Sequence, residues 1–291
     1  LIINIFLTEF NQEAKMKFTG ISDEAGKSIE IQIKAHKELG WEYMELRNVD
    51  NENLTMMSDE KFEFVYKKVT EAGMKVSCFA SCIANWATKI SDDFKKDYEE
   101  LKRAIPRMKK FNTKYIRVMS WPNDPENPYN EEKWRKEVIR RMKELTKMAE
   151  DNGIVIVHEN CSGWGGESPE NMVKLFEEMN SPNFKLMYDT GNVVAHNKNV
   201  DPWDFYIKVK PFIEYVHIKD YNKEGRATFP GEGQAKVKEI LLDLKKSGYN
   251  GFVSIEPHLA SVIHEGKVGD PEISYKTYIT YGKKLMALLN P

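Results

Sequence analysis

Four side chains able to bind a metal or move a proton stand at or near the ends of short apolar runs in the second half of the chain. Glu159 lies in Ile154-Val-Ile-Val-His-Glu-Asn160 and Asp189 in Phe184-Lys-Leu-Met-Tyr-Asp-Thr190. His217 lies in Tyr215-Val-His-Ile-Lys-Asp220, and Glu256 in Gly251-Phe-Val-Ser-Ile-Glu-Pro257. They are 30, 28 and 39 residues apart, about one strand-helix-strand unit each. Runs so rich in β-branched residues read as strands buried on both faces, and a carboxylate held there needs something to neutralise it. One acidic residue at a strand end is as readily a helix cap or half of a salt bridge. Recurrence on four consecutive strands is what points to a shared site.

The elements that must position these residues alternate along the chain. Strands are expected at Lys17–Ser22, Tyr43–Arg47, Lys75–Ser81, Tyr115–Ser120 and at the four runs above. Helices are expected at Ser28–Leu39, from Ser58 to Gly73, at Asp92–Phe111 with a kink at Pro106, and at Glu131–Asp151. Further helices follow at Asn171–Met179, Trp203–Lys210, Gln234–Ser247 and Ser274–Leu289. Gly40, Gly73 and Gly153 stand where helices should stop, and Ser168-Pro169 where one should start. Eight strands alternating with eight helices argue a parallel sheet closed into a single-domain (β/α)8 TIM barrel, with a doubly wound open sheet as the alternative. No Gly-x-Gly-x-x-Gly follows the first strand, which lowers a dinucleotide-binding reading.

In such a barrel the C-terminal strand ends share one mouth. Three carboxylates meeting there repel one another until a cation joins them. Carboxylate oxygens with one imidazole suit Mn²⁺, Co²⁺, Mg²⁺ or Zn²⁺, and the lack of cysteine in the set disfavours a structural zinc. The expected cofactor is therefore one divalent metal ion held by Glu159, Asp189, His217 and Glu256.

Composition narrows the partners. The 291 residues are 41% hydrophobic and 30% charged with a formal charge of −2, so no basic bias steers the chain to nucleic acid or to an anionic membrane. A small molecule is the expected partner, and a homo-oligomer is left open. Cys78, Cys82 and Cys161 form neither a disulfide framework nor a zinc knuckle, so a cytoplasmic location is expected. Leu1–Leu7 is too short for a membrane span and lacks the features of a signal peptide. Residues 1–15 are set apart as an N-terminal leader of unknown role, with the barrel over residues 16–291.

Glu159 in His-Glu-Asn, Asp189 in Tyr-Asp-Thr-Gly, His217 in Val-His-Ile-Lys-Asp, the loop Pro230-Gly-Glu-Gly233 and Glu256 in Ile-Glu-Pro-His carry a resemblance. The chain resembles the xylose isomerase-like TIM-barrel superfamily, in particular its sugar phosphate isomerase/epimerase group. The resemblance implies a carbohydrate substrate such as a ketose or sugar phosphate, one metal ion, and Glu159 and Glu256 as catalytic base and acid. The expected reaction is isomerisation or epimerisation by proton transfer through an enediolate, which a cation stabilises as a Lewis acid. A metal-dependent dehydratase or lyase on an inositol or keto-sugar is the alternative, because it begins with the same enolisation. An apurinic-site endonuclease-like nuclease is less favoured. The resemblance would then ask for further histidines, whereas Tyr43–Arg47 and Lys75–Ser81 have none and Asn192 stands where another ligand would be expected.

Around the mouth, Lys219, Glu232, His258 and Trp121 are the expected substrate contacts. Lys219 shares the parity of His217, and the resemblance places Glu232 on a substrate hydroxyl. Trp121, like Trp86, follows a strand and offers an apolar wall. Glu45 and Arg47 share one face of the second strand and are expected to support the site from behind.

Overall fold

The computed structural model describes residues 15–196, 200–262, 266–267 and 269–289; the expected leader, apart from Lys15, lies outside the described residues. Eight strands form one sheet: β1 (Lys17–Gly20), β2 (Tyr43–Leu46), β3 (Lys75–Ala80), β4 (Tyr115–Ser120), β5 (Val155–Gly163), β6 (Phe184–Asp189), β7 (Ile213–Ile218) and β8 (Phe252–Ile255). Each is parallel to its neighbours in the order β1-β8-β7-β6-β5-β4-β3-β2. A single parallel bridge between Ile21 and Glu45 joins the two edge strands, so the sheet is a nearly closed TIM barrel.

The helices between the strands are α1 (Ile29–Glu38), α2 (Asp59–Glu71), α3 (Lys95–Phe111), α4 (Glu131–Asn152), α5 (Pro169–Met179), α6 (Thr190–His196), α7 (Pro202–Val209), α8 (Val237–Lys246) and α9 (Pro271–Leu289). Their starts follow the capping chemistry of the sequence. Ser28, Ser58, Asn130 and Ser168 each accept a hydrogen bond from the backbone N–H three residues on, and Pro169 opens α5. Gly153, at φ +69°, ends α4 in the left-handed conformation.

Three local differences from the sequence reading bear on the site. β1 ends at Gly20, and a 3₁₀ turn, Ser22–Glu24, brings Asp23 and Glu24 to the mouth. β5 runs past Asn160 to Gly163, where it pairs with Ser120. The crossover after β6 starts as a helix directly behind Asp189 and becomes α6.

Alternation along the strands decides what faces inward. Val155, Val157, Met187, Tyr215 and Phe252 pack with Cys78 as a buried apolar group inside the barrel. Glu159, Asp189, His217 and Glu256 continue the same faces toward the C-terminal ends. The larger apolar core lies between the sheet and the helices. The ligand-type residues therefore stand on a packed apolar floor at the mouth where barrel chemistry is placed.

Candidate metal centre

Glu159, Asp189, His217 and Glu256 are at most 3% exposed, and one donor atom from each lies within 4.8 Å of the others. His217 Nδ1 is 3.5 Å from Glu159 Oε1, 3.7 Å from Glu256 Oε2 and 3.9 Å from Asp189 Oδ2. Among the described residues, Glu159 Oε2, Asp189 Oδ2, His217 Nδ1 and Glu256 Oε2 are buried without a hydrogen-bond partner. A buried polar atom left unpaired costs about 1–3 kcal/mol; Lys219 answers part of that cost at Asp189 Oδ2 and Glu256 Oε2, and a cation shared by the cluster would answer the rest. Three carboxylates with one imidazole nitrogen are a donor set for a divalent cation, and the residues fit one.

Neighbouring groups hold the remaining atoms of the set. Asp189 accepts the Asn192 N–H at Oδ1 (2.8 Å), as an N-cap of α6 does, which leaves Oδ2 turned to the site. Asn160 fixes the Asp189 backbone reciprocally, its Nδ2 donating to the carbonyl (2.9 Å) and its Oδ1 accepting the N–H (2.6 Å). Asn192 Nδ2 donates to Glu159 Oε1 at 3.1 Å. His217 Nε2 faces both carboxylate oxygens of Glu45 at 3.0 Å.

Buried positive groups balance part of the negative charge. Lys219 Nζ is 3.0 Å from Asp189 Oδ2 and 2.8 Å from Glu256 Oε2. Arg117 Nη1 is 3.5 Å from Glu159 Oε2, and Arg47 Nη1 donates to Glu256 Oε1 at 2.8 Å. Burial alone would push Glu159 and Glu256 up. For Glu159, Arg117 and His217 outweigh it and bring the carboxyl to about 2; for Glu256, Lys219, His258 and Arg47 hold it well below the carboxylate range. Asp189 goes the other way, pushed up to about 6 by burial and by Glu159 and Glu256, against Lys219. Burial would lower His217, but Glu45 and Glu159 raise it to about 10. The excess of carboxylate thus calls for a cation at His217 Nδ1, proton or metal.

Glu24, Glu256 and His258 form a second group of ligand-type residues. Its cation is already in place. Arg47 Nη1 and Nη2 lie 2.8 Å from Glu256 Oε1 and 3.3 Å from Glu24 Oε1, while Arg47 Nε and Nη2 pair with Asp23 at 3.0–3.2 Å. Arg47, expected to support the site from behind, holds Glu24 and Glu256 in place and itself lines the cavity beside them.

A cavity of about 550 Å³ opens beside the cluster, with Glu159 and Glu256 of the four in its wall together with Arg117, Lys219, His258, Asn192 and Trp86. Lys219 and His258 thus stand where substrate contacts were expected; His258 Nε2 is 3.2 Å from Glu256 Oε1 and its Nδ1 is 3.2 Å from the Tyr221 hydroxyl. Two other expected contacts do not line this cavity. Trp121 is fully buried and donates its indole N–H to Asp97 Oδ2 at 2.7 Å, whereas Trp86, 46% exposed, lines the cavity, as does Tyr221. Glu232 is exposed and pairs with Lys284 of α9. What organises its loop is Asp220, whose carboxylate accepts the N–H groups of Tyr221, Gly231, Gly233 and Ala235 at 2.9–3.0 Å.

The sequence reading passed over Arg117, Asn160, Asp23 and Glu24, and took Asn192 only as a missing ligand. Arg117 had a signal: a cation inside the apolar run Tyr115-Ile-Arg-Val-Met-Ser120, on the same face as Tyr115 and Met119.

An inward-facing acid and imidazole cluster at the C-terminal mouth of a parallel eight-stranded barrel defines a class of barrel built around a mouth-bound site. The model of the xylose isomerase-like TIM barrel family matches residues 33–274, and the chain belongs to that family. Over 146 residues it is 27% identical to the inosose dehydratase of Bacillus thuringiensis (strain Al Hakam), covering 44% of this chain and 48% of the relative. The match thus spans about half the length of that relative. Among solved structures it is similar to the probable 3-DHS dehydratase AsbF of Bacillus anthracis, with 17% identity and a TM-score of 0.71 over 93% of this chain and 99% of the other. It is likewise similar to the 3-keto-D-glucoside 4-epimerase YcjR of E. coli, with 17% identity and a TM-score of 0.69 over 93% and 100%. At these identities the structural likeness speaks for the fold.

Proposed function

We propose that this chain is a divalent-metal-dependent sugar isomerase or epimerase that moves a proton on carbon next to a carbonyl. The observation that carries the reading is the burial and convergence of Glu159, Asp189, His217 and Glu256, with one donor atom from each within 4.8 Å of the others, beside a cavity that Glu159 and Glu256 line. A bound divalent cation supplies Lewis-acid polarisation of the substrate oxygens. Glu159 and Glu256 are the proposed base and acid, one taking the proton from the carbon and the other returning one. Lys219, between Asp189 and Glu256, adds a fixed positive charge where negative charge develops on substrate oxygen. His258, Asn192 and Trp86 are the proposed substrate-side wall.

A second reading, dehydration of a keto-sugar or inosose, starts with the same proton removal and then expels a hydroxyl. It is favoured by the inosose dehydratase relative and by the Tyr221–His258–Glu256 chain of contacts, which places a proton-bearing imidazole beside the second carboxylate. The three free cysteines agree with a reducing compartment, and the cytoplasm is the proposed location. No helix among the described residues is long and apolar enough to cross a membrane.

Proton NMR in heavy water tests both readings on a panel of ketoses, ketose phosphates, 3-keto-glycosides and inososes. Deuterium entering at the carbon beside the carbonyl without loss of water supports isomerase or epimerase, and appearance of an enone supports dehydratase. Full activity after exhaustive chelation would remove the metal from the mechanism.

A further inference from the structure

Glu45 lies on β2, a strand that contributes no donor to the four-residue set, yet it is fully buried against His217. A carboxylate accepts and does not donate when ionised, so the imidazole nitrogen between its two oxygens must carry the hydrogen. In a neutral imidazole this makes Nδ1, the nitrogen facing Glu159, Asp189 and Glu256, the lone-pair donor. Glu45 is itself held from two other strands. Tyr215 of β7 donates its hydroxyl to Glu45 Oε2 at 2.9 Å and Ser254 of β8 donates at 2.6 Å. Ser77 Oγ lies 3.0 Å from the Tyr215 hydroxyl and 3.2 Å from the Met44 carbonyl oxygen, to which it donates, and Thr19 Oγ1 lies 3.2 Å from Ser77 Oγ. A row of hydroxyls thus runs up the barrel interior and ends on the carboxylate behind the imidazole.

We infer that Glu45, anchored by Tyr215 and Ser254, is the positioning residue of the metal centre, which locks His217 in the tautomer whose Nδ1 takes the ion. The inference rests on the metal reading given above. Glutamine at position 45 removes the lock, because an amide can donate to Nε2 and so allow the proton to sit on Nδ1. Carboxylates behind metal-binding histidines commonly contribute 10–100-fold to metal affinity.

The test is competition between the full-length protein and a chromogenic chelator for Mn²⁺ and Co²⁺, with the visible spectrum of the Co²⁺ form as a second readout. Glu45→Gln is expected to weaken binding by roughly 10–100-fold and to shift the Co²⁺ absorption bands. Ser254→Ala, which removes one hydroxyl with little loss of packing, is expected to weaken binding several-fold while unfolding within a few degrees of wild type in chelator. Binding by Glu45→Gln within twofold of wild type, with unchanged bands, overturns the inference. If Glu45→Gln does not fold, wild-type affinity in Ser254→Ala does so. A wild-type protein that takes up neither ion removes the metal reading itself, and that result is seen before any variant is made.

Discussion

Lys219 Nζ lies 2.8 Å from Glu256 Oε2, linking adjacent strands β7 and β8 by a buried ion pair at the floor of the cavity. Lys219 is also 3.0 Å from Asp189 Oδ2, so its ammonium stands beside two of the oxygens proposed to hold a metal. Removing one partner of a buried pair typically costs about 3–5 kcal/mol, since the other charge stays buried. Lys219→Met is therefore expected to lower the melting temperature in chelator. Added Mn²⁺ should stabilise the variant more than wild type, because the ion then meets an uncompensated pair of carboxylates. Turnover should fall by roughly 10²-fold through loss of a preorganised charge. Equal melting temperatures of variant and wild type in chelator would contradict the pairing.

Glu159→Gln and Glu256→Gln keep the shape of the side chain and remove the group that moves the proton. Each should lower the rate of deuterium entry by roughly 10²–10⁴-fold, with far-ultraviolet circular dichroism unchanged. Glu256→Gln also removes a negative partner of both Arg47 and Lys219, but Arg47 keeps Asp23 and Glu24 and Lys219 keeps Asp189, so the cost to stability should be smaller than for Lys219→Met. A Glu256→Gln variant with wild-type turnover would remove that carboxylate from the chemistry.

The barrel and its four central residues were legible because both obey short-range rules. Continuous apolar runs mark the strands, alternation along each strand fixes which side chains face inward, and a ligand-type residue near the end of each run marks the mouth. Glu159, Asp189, His217 and Glu256 announce themselves this way on four separate strands. Arg117–Glu159, Arg47–Asp23 and Glu45–His217 do not, because each is a contact between residues 24 to 172 positions apart whose partner follows from strand order. Trp121 and Trp86 show the complementary limit. Each follows a strand, but Trp121 has a buried partner in Asp97 while Trp86 remains 46% exposed at the cavity.

The Pro230–Gly233 loop separates a residue that resembles a substrate contact from one that shapes the mouth. Glu232 is paired outside the cavity with Lys284, and an exposed ion pair is worth about 0–1 kcal/mol, so Glu232→Ala should leave turnover within about twofold. A Cβ on Gly233, by contrast, would stand 2.1 Å from Asp220 Oδ1 and 2.5 Å from the Tyr221 carbonyl oxygen. Gly233→Ala must therefore push Asp220 off the N–H groups it collects and move Tyr221, which contacts His258. Its expected effect is a raised KM and a lower melting temperature. A large loss of turnover in Glu232→Ala with none in Gly233→Ala would reverse the assignment.

His36, on α1 and away from the metal centre, gives the fold an acid-side limit. It is fully buried; its Nδ1 lies 2.9 Å from the Gln32 carbonyl, and its Nε2 lies 3.2 Å from the Tyr278 hydroxyl and 3.3 Å from the Gly20 carbonyl. Burial pushes the group down to about 4 even though the carbonyls of Gln32 and Gly20 pull it upward. An unfolded chain protonates the same ring near its ordinary value of about 6.5, so between these two values the unfolded state binds more protons than the folded one. Stability from this group is complete above about pH 6.5 and is lost as the pH falls toward 4, by roughly 3 kcal/mol in all. Urea unfolding of wild type and His36→Gln, in chelator at pH 7 and again near pH 4.5, isolates it from the carboxylates that titrate in both. The stability advantage of wild type should shrink by roughly 2–3 kcal/mol between the two conditions. An advantage that stays constant with pH would mean that His36 takes up its proton as readily in the folded as in the unfolded protein, and would contradict the effect of its burial.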